Sequence, residues 1–309
     1  MSDAPPGRGR FLADIFVVAA YELQQARRTR LLQVGLLLYA AGTAAADWGF
    51  VQALREAERS VAQAMHVPAT EKPGTLIAEV LKSDDLRDFL GGLIGSTELF
   101  DRLATEPVLG LWSGAVAMVL LPLLLLLGTS VSVSTEVESR SIRFLALRTE
   151  RVPIVLGKLL GQVAMAGLAA LVGVLVTEII GQTLMVQVPI LGLALSSTRR
   201  AACALAYALP FAGLGLCVSQ WIGRSNPARV VAVVFLLAIL VFGEWPPATW
   251  LPDWIAPGVE VLRGFLPGRG WDEAWTDDPL AFGMGLARYA LNTLAWVGLG
   301  YVRFDRRDL

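Results

Sequence analysis

The sequence predicts an all-α, polytopic membrane protein with six transmembrane helices. Of its 309 residues, 55% are hydrophobic and only 17% are charged, and the mean hydropathy is +0.57. A soluble domain carries roughly 25% charged residues. The apolar residues gather in runs of about 20, the length that a helix needs to cross ~30 Å of hydrocarbon. Charged residues gather between these runs, so the runs are predicted to be membrane spans.

An amphipathic helix is predicted at residues 10–30, before the first span. Its apolar side chains follow helical spacing, and its charged residues fall elsewhere on the helical wheel. With a basic cluster at its end, the helix is expected to lie on the inner leaflet of the membrane. Alternatively, this stretch simply begins the first membrane helix, although arginines at the core boundary are costly. The charged residues assigned to this interfacial helix are Glu22, Arg27, Arg28 and Arg30.

Span 1 is predicted at residues 31–46, and a polar segment at residues 48–108 follows it. This segment holds 6 basic and 10 acidic residues, with helix-like stretches at 51–65 and 75–89. Long translocated loops escape the bias of positive charge toward the cytoplasm. The segment is therefore predicted to be a helical extracytoplasmic insert between spans 1 and 2.

The remaining spans are predicted from the apolar runs at residues 109–133, 154–180, 201–222, 230–242 and 281–302. A single helix over 154–198 would be ~65 Å long, about twice the thickness of the bilayer core. We therefore predict a break near Gly181, on the outer side. Residues 244–280 hold seven acidic residues, two basic residues and five tryptophans. This composition predicts an extracytoplasmic Trp-rich segment at the membrane interface.

The short basic segments predict the orientation. Fifteen basic residues lie in the N-terminal tail, residues 134–158, the 223–229 turn and the C-terminal tail. Placing all of them inside requires six spans and two cytoplasmic termini. Arg199 and Arg200 do not fit this orientation, because six spans place them on the outer side. A seventh span at 181–198 would move them inside, but it would also send the basic C-terminus out and the acidic 244–280 segment in.

The charged stretch at residues 134–158 separates two strongly apolar runs, with five basic and three acidic residues. Its residues 139–147 fit a short helix with Ile142, Leu145 and Ala146 on one side. A short amphipathic helix joined rigidly to two spans can pass a push from a soluble partner into the membrane. Charge alone would also permit an ordinary solvated loop.

This stretch resembles the type-2 permeases of ATP-binding-cassette (ABC) exporters. In that family a Glu-rich end of span 2, a short coupling helix, an Arg, and a Gly-Lys opening span 3 occur in this order. The matching residues are Glu136, Glu138, Leu145, Arg151, Gly157 and Lys158. The amphipathic N-terminal helix and the aromatic-Arg-Arg-Asp pattern at residues 304–308 match as well. The chain departs from the family where Gly-Thr usually follows the acidic pair, because it has Arg140-Ser141 there.

The resemblance implies one permease domain, residues 1–309, in the bacterial cytoplasmic membrane. It implies a dimer, here expected to be a homodimer, in which each permease engages a separate ABC ATPase through a coupling segment at residues 134–153. ATP and Mg²⁺ would bind that ATPase, and this chain is expected to bind no cofactor. The residues assigned to coupling are Glu136, Glu138, Arg140, Arg143, Leu145, Arg148, Arg151 and Lys158. Gly157-Lys158 is no P-loop, because Val152 and Leu159 stand where Gly and Ser/Thr are required.

Two other functions are weighed. The chain could keep the ABC architecture without transport and pass mechanical force to a periplasmic protein held by its outer segments. An intramembrane enzyme would need paired catalytic residues at depth, but the single histidine, His66, lies outside the predicted spans. No catalytic residue, metal site or nucleic-acid partner is therefore predicted.

Few polar residues lie within the predicted spans. Glu178 is either an intramembrane polar contact or a solvated group at the outer interface. Arg288 could pair with Glu178 or extend to the outer headgroups. Cys203 and Cys217 are expected to be small packing residues and not a disulfide.

Overall fold

The computed structural model describes residues 8–64, 66, 72–74, 106–186, 188–242, 263–264, 266–270, 275–276 and 278–306. Within these ranges the chain is helical and has no strand, as predicted. The helices are α1 (Arg8–Arg28), α2 (Leu31–Ala64), α3 (Val108–Ser132), α4 (Ser134–Glu138), α5 (Ile142–Ala146), α6 (Arg151–Leu184), α7 (Ile190–Trp221), α8 (Ser225–Phe242) and α9 (Pro279–Asp305). The predicted helical stretch at 75–89 and most of the Trp-rich segment lie outside the described residues.

Each of the six predicted spans lies on one of these helices. In the described part of the chain, four segments are long and apolar enough to cross a membrane: Leu31–Gln63, Val108–Glu138, Arg151–Leu184 and Ile190–Trp221. Helix α8 contains a shorter apolar segment, and α9 includes Arg288 and Asn292, which lower its hydropathy. The chain is therefore a multi-pass membrane protein, while the count of six spans remains a prediction.

The three longest of the described helices exceed the thickness of the bilayer core. Helices α2 and α6 have 34 residues each and α7 has 32, so each is about 50 Å long against a bilayer core of ~30 Å. The insert is predicted to start at residue 48, after the end of span 1, but no helix ends there. Helix α2 continues to Ala64. The break predicted near Gly181 follows Leu184, and α7 starts at Ile190.

The chain divides into two compact units. The first comprises Met1–Val34, Leu121–Gly167 and Leu205–Leu309, and the second comprises Gly35–Leu120 and Leu168–Ala204. Helices α2, α3, α6 and α7 contribute residues to both units.

Two apolar clusters form the core of the first unit. One contains residues on both sides of the coupling segment: Val133, Ile142, Ile154, Val155, Leu216, Val297 and Phe304. We call it the coupling core. The other lies around α7 and α8: Leu126, Phe211, Leu214, Val218, Ala228 and Ala232. Close packing of this kind transmits displacement, because the side chains of neither cluster can separate without opening voids.

The second unit has its own apolar core and a buried ion pair. Val51, Leu109, Met185 and Leu193 form the core. An Nη2–H of Arg200, whose side chain is only 1% exposed, donates to Glu106 Oε1 at 2.6 Å. The two arginines that disagreed with the predicted orientation thus have an acidic partner, since Arg199 also lies 3.7 Å from Glu106. Both cysteines are buried and form no disulfide.

Candidate functional site

Two short helices, α4 and α5, form most of the coupling segment. The backbone N–H groups of Val133 and Ser134 both donate to Ser219 Oγ, at 3.0 and 2.9 Å, which attaches the start of α4 to α7. Arg140, between α4 and α5, has a φ of 59°. That left-handed conformation favours glycine, and this is the position where the resembled family usually has Gly. Arg140 therefore adopts a backbone conformation that glycine adopts more readily.

Helix α5 packs onto the coupling core through one side. Ile142 is buried in that core, and Leu145 packs against it partly buried. These are two of the three residues that the sequence placed on one side of the helix. Ile154 and Val155, on the first turn of α6, belong to the same core. A displacement of α5 would therefore act directly on the beginning of α6.

A buried charge network joins α1, α4 and α6. The Lys158 side chain is 1% exposed, and its ammonium group forms ion pairs with Glu22 and with Glu136, the latter at 2.7 Å. The sequence singled out all three residues, but it did not predict that they meet. Burying an ammonium group costs several kcal/mol unless it is paired and hydrogen-bonded. The two carboxylates meet that need and fix the three helices to one another.

The network carries one more acid than base. Glu136 Oε1 accepts from Lys158, whereas Glu136 Oε2 is buried with no hydrogen-bond partner among the described residues. Two carboxylates against one ammonium leave a formal charge of −1 if all three groups are ionised. The network can therefore lose one acid and keep a balanced pair, but it cannot lose its lysine.

Glu138 holds the coupling segment to α8. Its carboxylate accepts hydrogen bonds from the backbone N–H of Ser225 at 3.0 Å and from the Ser225 hydroxyl at 2.8 Å. Ser225 is the first residue of α8, where unsatisfied N–H groups and the helix dipole favour a negative charge. The two acids of the predicted motif thus have different neighbours, because Glu136 faces the lysine and Glu138 faces a helix terminus.

Arg151 joins the start of α6 to the end of α9. Its guanidinium donates to the carbonyl of Phe304 at 3.0 Å and to the carbonyl of Asp305, and it lies 5.9 Å from the centre of the Phe304 ring. The Asp305 carboxylate is 3.8 Å away. Arg151 therefore acts within this chain, at the C-terminal end of the last helix.

The side of the coupling segment that faces away from the coupling core carries basic and apolar side chains. Arg140, Arg143 and Arg148 are exposed, as are Phe144 (75%) and Leu147 (83%). We call these five residues the coupling surface. Phe144 and Leu147 were not among the predicted site residues, although their spacing of three residues, opposite Ile142 and Leu145, indicates a second apolar side of the helix.

The helix predicted at residues 10–30 is present as α1, and its acidic and basic side chains lie in different surroundings. Glu22 is buried in the lysine network, while Arg27, Arg28 and Arg30 are exposed. A second set of its side chains is apolar and exposed: Leu12, Phe16, Val17 and Tyr21. An exposed apolar side next to a basic end fits a helix lying at a membrane surface.

The two residues predicted as intramembrane contacts lie in different units. Glu178, in the second unit, is half-buried, and its carboxylate oxygens are enclosed. Arg288, in the first, donates to the carbonyl of Arg269 at 2.6 Å and lies 5.8 Å from the Tyr289 ring. That carbonyl is a partner that neither sequence interpretation of Arg288 had named. No group of three His, Cys, Asp or Glu side chains that could hold a metal occurs in the described ranges.

The fold and this segment define a multi-pass helical membrane protein with a polar connection between two spans. The family described as ABC-2 family transporter protein matches residues 16–250. The chain belongs to that family, which confirms the resemblance to type-2 ABC permeases. Proteins of this family are membrane subunits that associate with ABC ATPases and are not themselves catalytic. No curated protein matches the chain.

Proposed function

We propose that this chain is the permease subunit of an ABC exporter, in which a separate ATPase subunit drives export across the bacterial cytoplasmic membrane. The observation that supports this best is the construction of the coupling segment. Its inner side packs on the coupling core and its Glu136 binds Lys158, while its outer side leaves Phe144 and Leu147 exposed. One side is anchored, and the other is available to a partner.

The ATPase, which would bind ATP and Mg²⁺, docks on the coupling surface in this proposal. Exposed apolar side chains among arginines suit a groove with an acidic rim, because interface anchors are commonly aromatic or Arg. Closure of the ATPase pushes α5, which acts through Ile142 on Ile154 and Val155 of α6. Lys158 carries the same displacement to α1 through Glu22. Helix α6 runs without interruption from Arg151 to Leu184.

The assembly and orientation belong to the same proposal. The permease works as a homodimer, with both termini and the coupling segment in the cytoplasm. The fifteen basic residues of the short segments support this orientation, and the pairing of Arg199 and Arg200 with Glu106 removes the main objection to it.

The second candidate is transmission of force to a periplasmic partner without transport. The observation that favours it is the length of α2, α6 and α7, which exceeds the bilayer core by ~20 Å. The second unit also has an apolar core of its own. A structure of the dimer in lipid would separate the two candidates. An exporter requires a continuous cavity of substrate size, whereas a force transmitter can be packed shut.

The coupling surface can be tested by purifying the full-length chain from its native membranes together with any ATP-hydrolysing subunit that it retains. In the double variant Phe144→Ala/Leu147→Ala, we expect co-purifying ATPase activity to fall at least about tenfold, because truncating an interface anchor typically costs more than about 1 kcal/mol. Arg143→Ala/Arg148→Ala should also weaken retention, and more strongly at low salt.

The matched control is Arg303→Ala/Arg306→Ala, which removes two exposed arginines from the end of α9. It should retain the ATPase fully. Retention of the ATPase by both double variants of the coupling surface would contradict this assignment. Charge reversal at Glu136 is a poor test, because it would place a second ammonium group beside buried Lys158 and unfold the site.

A further inference from the structure

Asp47 is a fully buried carboxylate in the second unit, and neither the sequence motifs nor the family assignment gives it a role. Its residue is 0% exposed, within α2. Oδ2 accepts a hydrogen bond of 2.7 Å from the hydroxyl of Thr177 on α6. Oδ1 is also enclosed, with no hydrogen-bond partner among the described residues. One oxygen of this carboxylate therefore has a hydrogen-bond donor, and the other has none among the described residues.

The residues around Asp47 supply hydroxyl groups. Tyr39 and Thr43 precede it by two turns and one turn on the same face of α2. Both border Gly173, because a Cβ at that position would lie 2.7 Å from the Tyr39 ring and 3.6 Å from the Thr43 hydroxyl. Gly173 is one turn before Thr177 on α6. Helices α2 and α6 thus meet along a row of hydroxyl groups that ends at Asp47.

Four arginines of the second unit contact groups other than Asp47. Arg199 and Arg200 are paired with Glu106, and Arg59 with Glu56, while Arg55 donates to Gln52. Within the second unit, the other titratable groups of α2 besides Arg55 and Arg59 are Tyr39, Glu56 and Glu58, and that of α6 is Glu178, next to Thr177. Helix α3, whose Trp112 donates to the Ala46 carbonyl, contains no charged residue.

An ionised carboxylate buried without a cation costs several kcal/mol, so such a group takes up a proton instead. We propose that Asp47 is a proton-binding site: it holds a proton on Oδ1, while Oδ2 accepts from Thr177. As a neutral acid, Asp47 keeps the α2–α6 contact dry. Its ionisation transfers the proton to water and leaves a carboxylate that must be hydrated. Release of the proton and opening of the α2–α6 contact are therefore linked.

This inference does not depend on the proposed export function, and it can be tested without an ATPase. The full-length chain in lipid vesicles is examined by infrared spectroscopy for the carbonyl stretch of a protonated carboxylic acid. At pH 5, where a water-exposed aspartate has mostly lost its proton, the wild-type chain should show this band. Asp47→Asn should abolish it. Labelling aspartate carboxyl groups with carbon-13 should shift it in the unsubstituted chain, which tests the assignment even if the variant folds poorly.

Two matched variants distinguish Asp47 from its neighbours. Thr177→Val removes the hydrogen bond to Oδ2, which favours the ionised form more than the neutral form. The band should then persist to higher pH than in wild type. Glu178→Gln should leave the band unchanged. Loss of the band in Glu178→Gln, or its absence from the wild-type chain at pH 5, would overturn the proposal.

The same measurement separates a proton from a metal ion. The spectra are recorded in sodium, in potassium, and in a bulky organic cation that cannot enter a closed site. A protonated Asp47 gives the same band in all three solutions. A band that appears at pH 5 only after sodium and potassium are removed would mean that Asp47 binds an alkali metal ion, and it would refute the assignment of a proton.

Discussion

Lys158 is the residue on which the coupling segment most depends. Among the described residues, it contributes the only positive charge paired with the buried carboxylates of Glu22 and Glu136. The ion pairs need not make the protein more stable than an apolar core would, because desolvation offsets most of their attraction. Their consequence is structural specificity, since both ion pairs form only when α1, α4 and α6 bring Glu22, Glu136 and Lys158 together.

Lys158→Met should destabilise the protein by about 3–5 kcal/mol, the usual cost of removing one partner from a buried charge network. It leaves two buried carboxylates side by side with no cation. Thermal unfolding of the full-length chain in lipid or mild detergent would measure the loss.

The triple variant Glu22→Gln/Glu136→Gln/Lys158→Met provides the control. It removes all three charges, so most of the lost stability should return. If the triple variant were no more stable than Lys158→Met alone, the charges would not be the cause of the effect.

At this scale the sequence predicted which residues matter better than it predicted what they contact. Glu136, Arg151 and Lys158 stood out because charges are rare in this chain. The pairing of Glu22 with Lys158, 136 positions apart, follows from packing between helices, which no local pattern encodes. The acceptors of Arg151 are main-chain carbonyls, and a sequence does not distinguish one carbonyl from another.

At the scale of elements, α1 lies against α6 at two glycines. A Cβ at Gly157 would lie 2.6 Å from Val18 Cβ and 2.8 Å from the Ile15 carbonyl oxygen. A Cβ at Gly161 would lie 2.8 Å from Glu22 Cβ. The close approach of the two helices places Glu22 within reach of Lys158, so the glycines and the ion pairs are parts of one contact.

Gly157→Ala should loosen α1 by forcing it away from α6, at a cost of about 1–3 kcal/mol. The expected result is faster hydrogen exchange of the α1 backbone amides in the full-length chain, measured by mass spectrometry.

Gly167→Ala is the matched substitution in the same helix, because the nearest atom to its new Cβ is 3.8 Å away, on Leu205. It should leave α1 unchanged and could add up to ~1 kcal/mol through helix propensity. Equal exchange of α1 in the two variants would show that the contact at Gly157 is not tight.

Helix positions were predictable from the sequence, and helix lengths were not. Each apolar run produced a helix, because only helices satisfy backbone groups in lipid within one segment. The predicted end of span 1 followed the change to polar composition after Ala46. Residues 51–64 are rich in Ala, Glu, Gln and Arg, which favour helix irrespective of solvent, so α2 continues to Ala64.

At the scale of the whole molecule, the orientation in the membrane can be measured directly. Single cysteines are introduced at Glu56, Leu147 and Arg306, all of which are exposed. A thiol reagent that cannot cross membranes should label Glu56→Cys in intact cells or spheroplasts. It should label Leu147→Cys and Arg306→Cys only after the membrane is opened.

The wild-type chain serves as the background, because Cys203 and Cys217 are buried and should react slowly. Labelling of Arg306→Cys from outside would contradict the cytoplasmic C-terminus and the count of six spans. Labelling of Leu147→Cys from outside would show that the coupling surface does not lie on the side of the membrane where ATP is available.

The buried charge network also constrains how this chain can evolve. Either acid can be replaced first, because the remaining acid still balances Lys158. The lysine cannot be replaced first, since that intermediate would bury two carboxylates against each other. Descendants of this sequence are therefore expected to lose an acid before they lose the lysine. Relatives that lack the lysine should lack both acids as well, so the three positions would be inherited as a group.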